Sequence, residues 1–528
     1  MTLTGSLQAA VSLPLSDKTL GSLPSNIAVP RYDRSQVTTG VAHIGPSHFF
    51  RAHIARYFDD ILAQDPSWGI TTINVRPKKE PDPEASPDKA LRDRTPADVL
   101  REQDYLYTTV EQSVHGIQRR VIGSVGDMIS APENPRKALS ALVDPNVKLV
   151  TLTLTEKGYG HDPATGTLNV HRPDIIACLE SMDGPSTAVG YIVAAIEGRK
   201  EKGFPPLTIM SCDNMAGNGN ILRNAVCAYA GEKSKDLRQY IEDNIAFPNT
   251  MVDRIVPGVT TGDLFDSKAA GVDDQWPVVC EGYSEWVVED KFSGERPPLE
   301  QVGVTITPDV YAHELKKIRM LNGAHVAVGM IGRLAGYEYV DEAIADPRIA
   351  RFVDAFMQET SDTLRPLDGV DYSLYSQGLV ERLQNPYIKD ELTRLPRNAT
   401  TGKLNTRILD PIRDAIAQER DWRCHAFTTA AWIQYLKGVD QNGEHFDIVD
   451  RNAVETGLQE TAKKSNGNPG PIISASGIFG NDLGGNPTFV AEVQRHLHNI
   501  QRHGITHAID MIEPQRPSRD LQRKKYPN

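Results

Sequence analysis

Between Lys317 and His325 the chain reads Lys-Ile-Arg-Met-Leu-Asn-Gly-Ala-His, which brings an amine, an amide and an imidazole close together. On an α-helix turning 100° per residue, Asn322 lies ~140° around from Lys317, and His325 lies ~80° around, between the two. One face carries all three, and Arg319 points away from it. Oxidising an alcohol needs a base for the hydroxyl proton and donors for the oxygen left behind as hydride departs. A lysine drawn partly out of water shifts toward a neutral pKa and can serve as that base. The same spacing also fits a polar helix face with a solvated lysine and a capping asparagine, and spacing alone does not choose between them.

Other candidates follow strand-like runs. Asn214, in Ser211-Cys212-Asp213-Asn214, comes just after Leu207–Met210; it either reaches a substrate oxygen or forms an Asx turn that caps the next helix. Asp253 sits beside Arg254 in Phe247–Arg254, a pattern common in surface ion pairs. Glu156, in Thr155-Glu156-Lys157-Gly158-Tyr159, follows a third run and lies either in a cleft or in an exposed turn. After a first strand at 40–45 the chain continues Gly45-Pro46-Ser47-His48-Phe49-Phe50-Arg51, one glycine where the dinucleotide fingerprint GxGxxG has three. Gly45 still permits a tight turn, and the N-terminus of the helix that follows can hold a pyrophosphate.

The elements that must position these residues alternate. Strand patterns at 40–45, 69–75, 147–154 and 207–210 are separated by helical periodicity, such as Phe49 to Leu62. Alternation of this kind implies an α/β fold: a Rossmann-like parallel sheet covered by helices, with ligands beyond the carboxyl ends of its strands. Residues 1 to about 35 read as a peripheral arm, and 77–99, rich in proline and charge, as an exposed loop. From about residue 311 long helical patterns take over, at 311–336, 340–360, 408–437 and 484–503. The reading is therefore an expanded Rossmann-like domain over 1–305, and a mostly α-helical substrate and catalytic domain over 306–528.

Composition limits the classes of partner. The 528 residues carry a net charge of -12, which disfavours nucleic acid and anionic membranes as partners, since both need a basic field. No apolar run reaches the ~18 residues of a membrane span. The first positive charge is Lys18, so the basic start of a secretory signal is lacking. Five cysteines show no zinc spacing and suit a reducing compartment, so a cytoplasmic protein without metal is expected.

Read together, these segments resemble the polyol-specific long-chain dehydrogenases, the mannitol 2-dehydrogenase family, which also holds arabinitol dehydrogenases and hexuronate (fructuronate, tagaturonate) reductases. The landmarks occur in order: Val29–Arg34, HIGxxxFxRAH at 43–53, Gln103–Thr108, LTLTEKGY at 152–159 and SCDN at 211–214. They continue with FPNTMVDRIVP at 247–257, PVVCE with WVVEDKF at 277–292, KxRxLNxxH at 317–325 and Arg382–Pro386, so the likeness runs from about residue 16 to about residue 505.

The resemblance implies NAD(P)-dependent interconversion of a sugar alcohol and its ketose, D-mannitol and D-fructose first, in a cleft between two domains and with no metal. Carried over by position, Lys317 is the general base, Asn214 and Asn322 hold the reacting oxygen, and His325 orients substrate hydroxyls. Glu156 and Glu314 pass the lysine's proton to solvent. Asp253 sits where cofactor meets substrate, and Arg394 and Lys403 contact substrate hydroxyls. A hexuronate reductase would share this machinery and use Arg394 for a carboxylate. Members are often monomeric, so a monomer or weak oligomer is expected.

Two departures from the family pattern bear on the cofactor. The family's GVGGFHRAH is GPSHFFRAH here, which shifts phosphate binding from glycines to helix amides around Gly45 and Phe49, and to Arg51. After the second strand, where NAD-preferring members place acids, the chain has Asn74-Val75-Arg76-Pro77-Lys78-Lys79. A carboxylate there repels a 2′-phosphate, whereas Arg76 and Lys78 attract one, so the expectation leans to NADP(H).

Overall fold

The computed structural model describes residues 12–77, 96–160, 167–181 and 184–512. The chain divides into two compact units, Met1–Tyr311 and Ala312–Asn528, and the division falls inside the helix Val310–Lys316.

The first unit is built on five parallel strands, β1 (Thr39–Ile44), β2 (Gly69–Asn74), β3 (Val125–Ser130), β4 (Leu149–Leu152) and β5 (Thr208–Ser211). Their order in the sheet is β3-β2-β1-β4-β5. Helices cover the sheet, so its central strands are buried on both faces and read as continuous apolar runs. Ile44, Val150, Leu152 and Ile209 pack with Ile192 and Ile196 of the helix Ala188–Lys202 and Val226 of the helix Asn218–Lys233. Each such side chain contributes about 1.5–3 kcal/mol of burial. Strand order reverses between β1 and β4, so the ligand-binding switch point of this sheet lies beyond their carboxyl ends.

Several parts of this unit depart from the sequence reading. A four-stranded sheet joins Val278–Glu281, Tyr107–Ser113, Gly116–Ile122 and Ile27–Ala28, and a three-stranded sheet joins Thr250–Asp253, Glu285–Glu289 and Thr305–Thr307. Tyr107–Ser113 and Gly116–Ile122 form a local antiparallel hairpin, and the remaining strands find partners farther away in sequence. The N-terminal arm is not peripheral over its described part. Leu13–Pro14 pairs with Val272–Asp273, Ile27–Ala28 pairs with Arg119–Arg120, and Leu15 and Ile27 are buried. The supposed loop 77–99 ends in a helix, Pro96–Leu100, that buries Val99 and Leu100; residues 78–95 lie outside the described part.

The second unit is helical. Its first helix runs through α2 (Val310–Lys316), a π-turn at Lys317–Leu321 and α3 (Asn322–Ala335), following α1 (His48–Ala52) of the first unit in numbering. The pattern expected at 340–360 divides where Asp346 caps α4 (Pro347–Ser361) at a proline. The pattern at 408–437 divides into Asp410–Ala417 and α5 (Arg423–Tyr435), because Glu419 takes a left-handed conformation. Val326, Met330 and Ile331 of α3 pack in one core with Phe352 and Phe356 of α4 and Phe427 and Ala430 of α5. The α5 N-terminus is capped from inside this core: Glu359 accepts the N–H groups of Cys424 and His425 at 2.9 and 3.0 Å. Among the described residues no helix is long and apolar enough to cross a membrane.

Candidate active site

In the first unit the expected residues gather at the carboxyl ends of the parallel strands. Gly45 follows β1 with φ +92°, and a Cβ there would stand 2.4 Å from the Thr153 carbonyl oxygen at the end of β4. Only glycine gives both the conformation and the approach. The turn is fastened from below. His43 Nδ1 bonds Thr151 Oγ1 at 2.8 Å, Thr153 Oγ1 donates to the Gly45 carbonyl at 2.7 Å, and Ser47 and Thr153 hydroxyls meet at 3.0 Å. Burial drives the His43 pKa down to about 3, so the ring is neutral. Ser47 Oγ caps α1 by accepting the Phe50 N–H. The glycine turn and the α1 amides beside it have the chemistry to hold a dinucleotide pyrophosphate, and α1 is too short to add much of a dipole.

Two cofactor expectations change. Arg51 is fully buried: Nη1 donates to the Trp276 carbonyl at 2.7 Å, and the guanidinium carbon lies 5.2 Å from the Tyr107 ring and 5.6 Å from the Trp276 ring. Burial holds its pKa down to about 10. It braces α1 against the loop at Trp276 and offers no donor to a phosphate at the surface. Phe49 is half-buried, with its ring stacked on His53 at 4.8 Å. Arg76 is exposed at the end of β2, and its Nη2 donates to Thr155 Oγ1 at 3.4 Å. Because β1 lies between β2 and β4, this arginine reaches across the strand end that carries Gly45. Lys78 lies outside the described residues.

Beyond β4 and β5 two loops face each other. Thr155 opens the 3₁₀ turn Glu156–Tyr159, which carries Glu156. Asn214 is exposed on the loop after β5, and its neighbour Asp213 accepts the Leu154 N–H at 2.8 Å and the Tyr159 hydroxyl. Asn218, fully buried, donates to the Asp213 carbonyl at 2.9 Å and exchanges bonds with Thr250 at 2.9 and 3.0 Å. It thereby ties the Asn214 loop to the strand Thr250–Asp253, where Asp253 is 5% exposed. Asp253 and Arg254 are not a surface pair: Arg254 is buried, bonds the Ala52 and Glu281 carbonyls, and pairs with Glu111 at 2.8 Å. Asp213 and Asn218 were not singled out in the sequence. Their only signal there is position next to Asn214 and in the polar run that follows.

In the second unit Lys317 is 5% exposed, and Glu314, one turn earlier, is equally buried. The segment Lys317–Leu321 is a π-turn, closed by the Asn322 N–H donating to the Lys317 carbonyl. An i→i+5 bond widens the turn, so the angle between Lys317 and Asn322 falls below the α-helical ~140°. Asn322, at the end of this turn, and His325 are both half-buried. Arg319 is directed elsewhere, to Asp414 at 2.6 Å. At Gly323 a Cβ would meet the Arg407 carbonyl and the Phe356 ring at 3.2 Å each, so glycine lets this helix lie against a second π-turn, Asn405–Leu409.

That second turn adjoins a third, Ala399–Lys403, which ends at Lys403. The Lys403 amine is held below its usual pKa by burial and then by Arg407, Arg394 and Arg397; Asp450 opposes them. The structure thus brings Arg394 and Lys403 into one cationic group and adds Arg407, which the sequence reading missed. Arg394 is already paired, with Asp390 at 2.5 Å, and Asp450 caps Thr400 and Ala453. Arg407, whose pKa burial lowers to about 10, has no carboxylate partner among the described residues.

A Rossmann sheet with its switch-point glycine, and a buried lysine joined to an amide across a π-turn on a separate helical unit, fit a two-domain dehydrogenase architecture. The family models agree with that division: the mannitol dehydrogenase Rossmann domain matches residues 39–301, and the mannitol dehydrogenase C-terminal domain matches 309–501. The chain belongs to the mannitol dehydrogenase family. It is 37% identical over 489 residues to the mannitol 2-dehydrogenase of Aspergillus fumigatus, covering 91% of this chain and 94% of that protein. Likewise it is 37% identical to the mannitol 2-dehydrogenase of Phaeosphaeria nodorum, over 94% and 85% of the two chains. Among solved structures it is similar to a substrate-free D-sorbitol dehydrogenase, with TM-score 0.85, 32% identity, and 94% and 100% of the chains covered. It is also similar to the Pseudomonas fluorescens mannitol 2-dehydrogenase in ternary complex with NAD and D-mannitol, with TM-score 0.76, 34% identity, and 95% and 99% covered.

Proposed function

We propose that the protein interconverts a sugar alcohol and its ketose, D-mannitol and D-fructose first, with a nicotinamide dinucleotide as hydride acceptor or donor and Lys317 as general base. The observation that carries this reading is the buried Lys317 joined to Asn322 across a π-turn, in a chain that matches both family domains. Lys317 takes the carbinol proton on oxidation and returns it on reduction. Asn322 and Asn214 donate to the reacting oxygen as charge develops on it. His325 orients the neighbouring hydroxyls, Glu314 and Glu156 relay the lysine's proton outward, and Asp253 contacts both cofactor and substrate. Arg394 and Lys403 hold the far hydroxyls. The first unit is the cofactor domain and the second the substrate domain. An amine base and amide donors need no metal, and the chemistry proposed uses none.

For the cofactor, the end of β2 carries Asn74 and Arg76 and no acid, which supports NADP(H) over NAD(H). The pyrophosphate is assigned to Gly45 and the amides beside it. Arg51, being buried, is left out of this assignment.

A second reading has one observation in its favour. Lys403, Arg407, Arg394 and Arg397 outnumber the carboxylates near them, Asp390 and Asp450, and such a group suits a substrate with a carboxylate, as a hexuronate reductase would take. A panel of fructose, mannitol, arabinitol, sorbitol and fructuronate, each with NAD(H) and NADP(H), separates the readings. Fructose reduction is expected to lead; a fructuronate kcat/KM tenfold above that of fructose selects the second reading, and no turnover anywhere rejects both.

A further inference from the structure

Asp213 lies next to Asn214, yet its carboxylate serves the neighbouring strand. One oxygen, Oδ2, accepts the Leu154 N–H at 2.8 Å and the Tyr159 hydroxyl, which bracket the turn carrying Glu156. Tyr159 is fully buried and meets Ser211 Oγ at 2.6 Å, and the Asp213 N–H points back to that Oγ at 3.4 Å. An ionised carboxylate only accepts, so Tyr159 donates to Asp213 and Ser211 donates to Tyr159. The result is a closed ring of donors, Ser211 to Tyr159 to Asp213 and back to Ser211, which joins the end of β5 to the turn after β4.

We propose that Asp213 is a positioning residue that fastens the turn after β4 to the end of β5, so that the loops carrying Glu156 and Asn214 are held as one piece. The claim rests on the dehydrogenase reading for its catalytic consequence, though not for the strap itself. Bonds to an ionised acceptor are roughly twice as strong as neutral ones, so the Leu154 N–H and the Tyr159 hydroxyl both favour the charged Asp213. Burial opposes that charge and raises the Asp213 pKa to about 6, against the pull of its two donors and of Arg76. The titratable and charged groups facing it are Tyr159 from the turn, Arg76 from the end of β2 and Cys212 beside it; burial raises both the Tyr159 and the Cys212 pKa, so neither competes for the proton near pH 6. Because the Asp213 pKa with the strap closed stands above that of a solvated carboxylate, protonation favours the closed strap, and opening becomes easier as pH rises through about 6.

The test uses full-length Asp213→Asn and Tyr159→Phe, alone and together. Expected are a fall in ketose-reduction kcat of about 10- to 100-fold for each, as for a misplacement of about 1 Å, and cofactor Kd within about twofold of wild type by NAD(P)H fluorescence. The double variant should be no worse than Asp213→Asn, since both cut one network. Hydrogen exchange at the Leu154 amide should quicken at least about tenfold in Asp213→Asn. The proposal is overturned by a kcat within twofold of wild type, by a loss that follows cofactor binding, or by additive effects. If Asp213→Asn does not fold, Tyr159→Phe reads the same ring. If the wild type reduces no ketose, the functional reading has failed, and unchanged exchange at Leu154 would separately refute the strap.

Discussion

In the proposed mechanism Lys317 carries the chemistry, and its variant is the sharpest test. Lys317→Ala should lower kcat by ~10²–10⁴-fold, the usual cost of losing a general base, while cofactor Kd measured by NAD(P)H fluorescence stays unchanged. Near-normal turnover would remove the lysine from the mechanism. The residue types at Lys317, Asn322 and His325 were legible in the sequence, but their angles were not, because the apolar periodicity of the helix does not reveal the π-turn at Lys317–Leu321. Arg51 was misread for a related reason: a basic residue near a helix N-terminus looks like a phosphate ligand until the interior behind it is known. Asp213 makes a prediction of a different kind. Its folded pKa is raised above that of the unfolded chain, so the native state holds the extra proton and loses stability as pH rises from about 4 to about 6. Relative to Asp213→Asn, the wild-type Tm should fall across that window and then level; a rise would contradict the burial argument.

At the scale of elements, the glycine turn after β1 and the ends of β4 and β5 do the positioning. Gly45→Ala forces a side chain into a left-handed conformation and against the Thr153 carbonyl. We expect a stability loss of at least about 1–3 kcal/mol, as for other strained backbone positions, and cofactor Kd weakened more than about tenfold. Calorimetry and NAD(P)H titration check both, and a wild-type Kd would show that the pyrophosphate lies elsewhere. The parallel strands were readable from their β-branched runs, and the helices from their periodicity. The two smaller sheets escaped in part because many of their pairings are remote: Tyr107–Ser113 finds Val278–Glu281, Ile27–Ala28 finds Arg119–Arg120, and Thr250–Asp253 finds Glu285–Glu289. The local hairpin of Tyr107–Ser113 with Gly116–Ile122 was missed without that reason. Asp346-Pro347 and Glu419 broke two helices whose apolar periodicity runs on across the breaks.

For the molecule as a whole, cofactor choice is the property most open to measurement. We expect kcat/KM for NADPH to exceed that for NADH, and Arg76→Glu to reverse the order; a tenfold NADH preference in the wild type would refute the lean. Dialysis against EDTA should leave activity intact, since the proposed base and donors are all side chains. Family membership, the alternation of strands and helices, and the identities of the amine, the amides and the imidazole could be taken from the sequence alone, because they depend on local pattern and ordered landmarks. The tertiary structure alone decided which charged groups are usable. Burial and hydrogen-bond partners are properties of the neighbours a residue acquires on folding, and these took Arg51 into the core, set Asp213 against Leu154 and Tyr159, and placed a π-turn between Lys317 and Asn322.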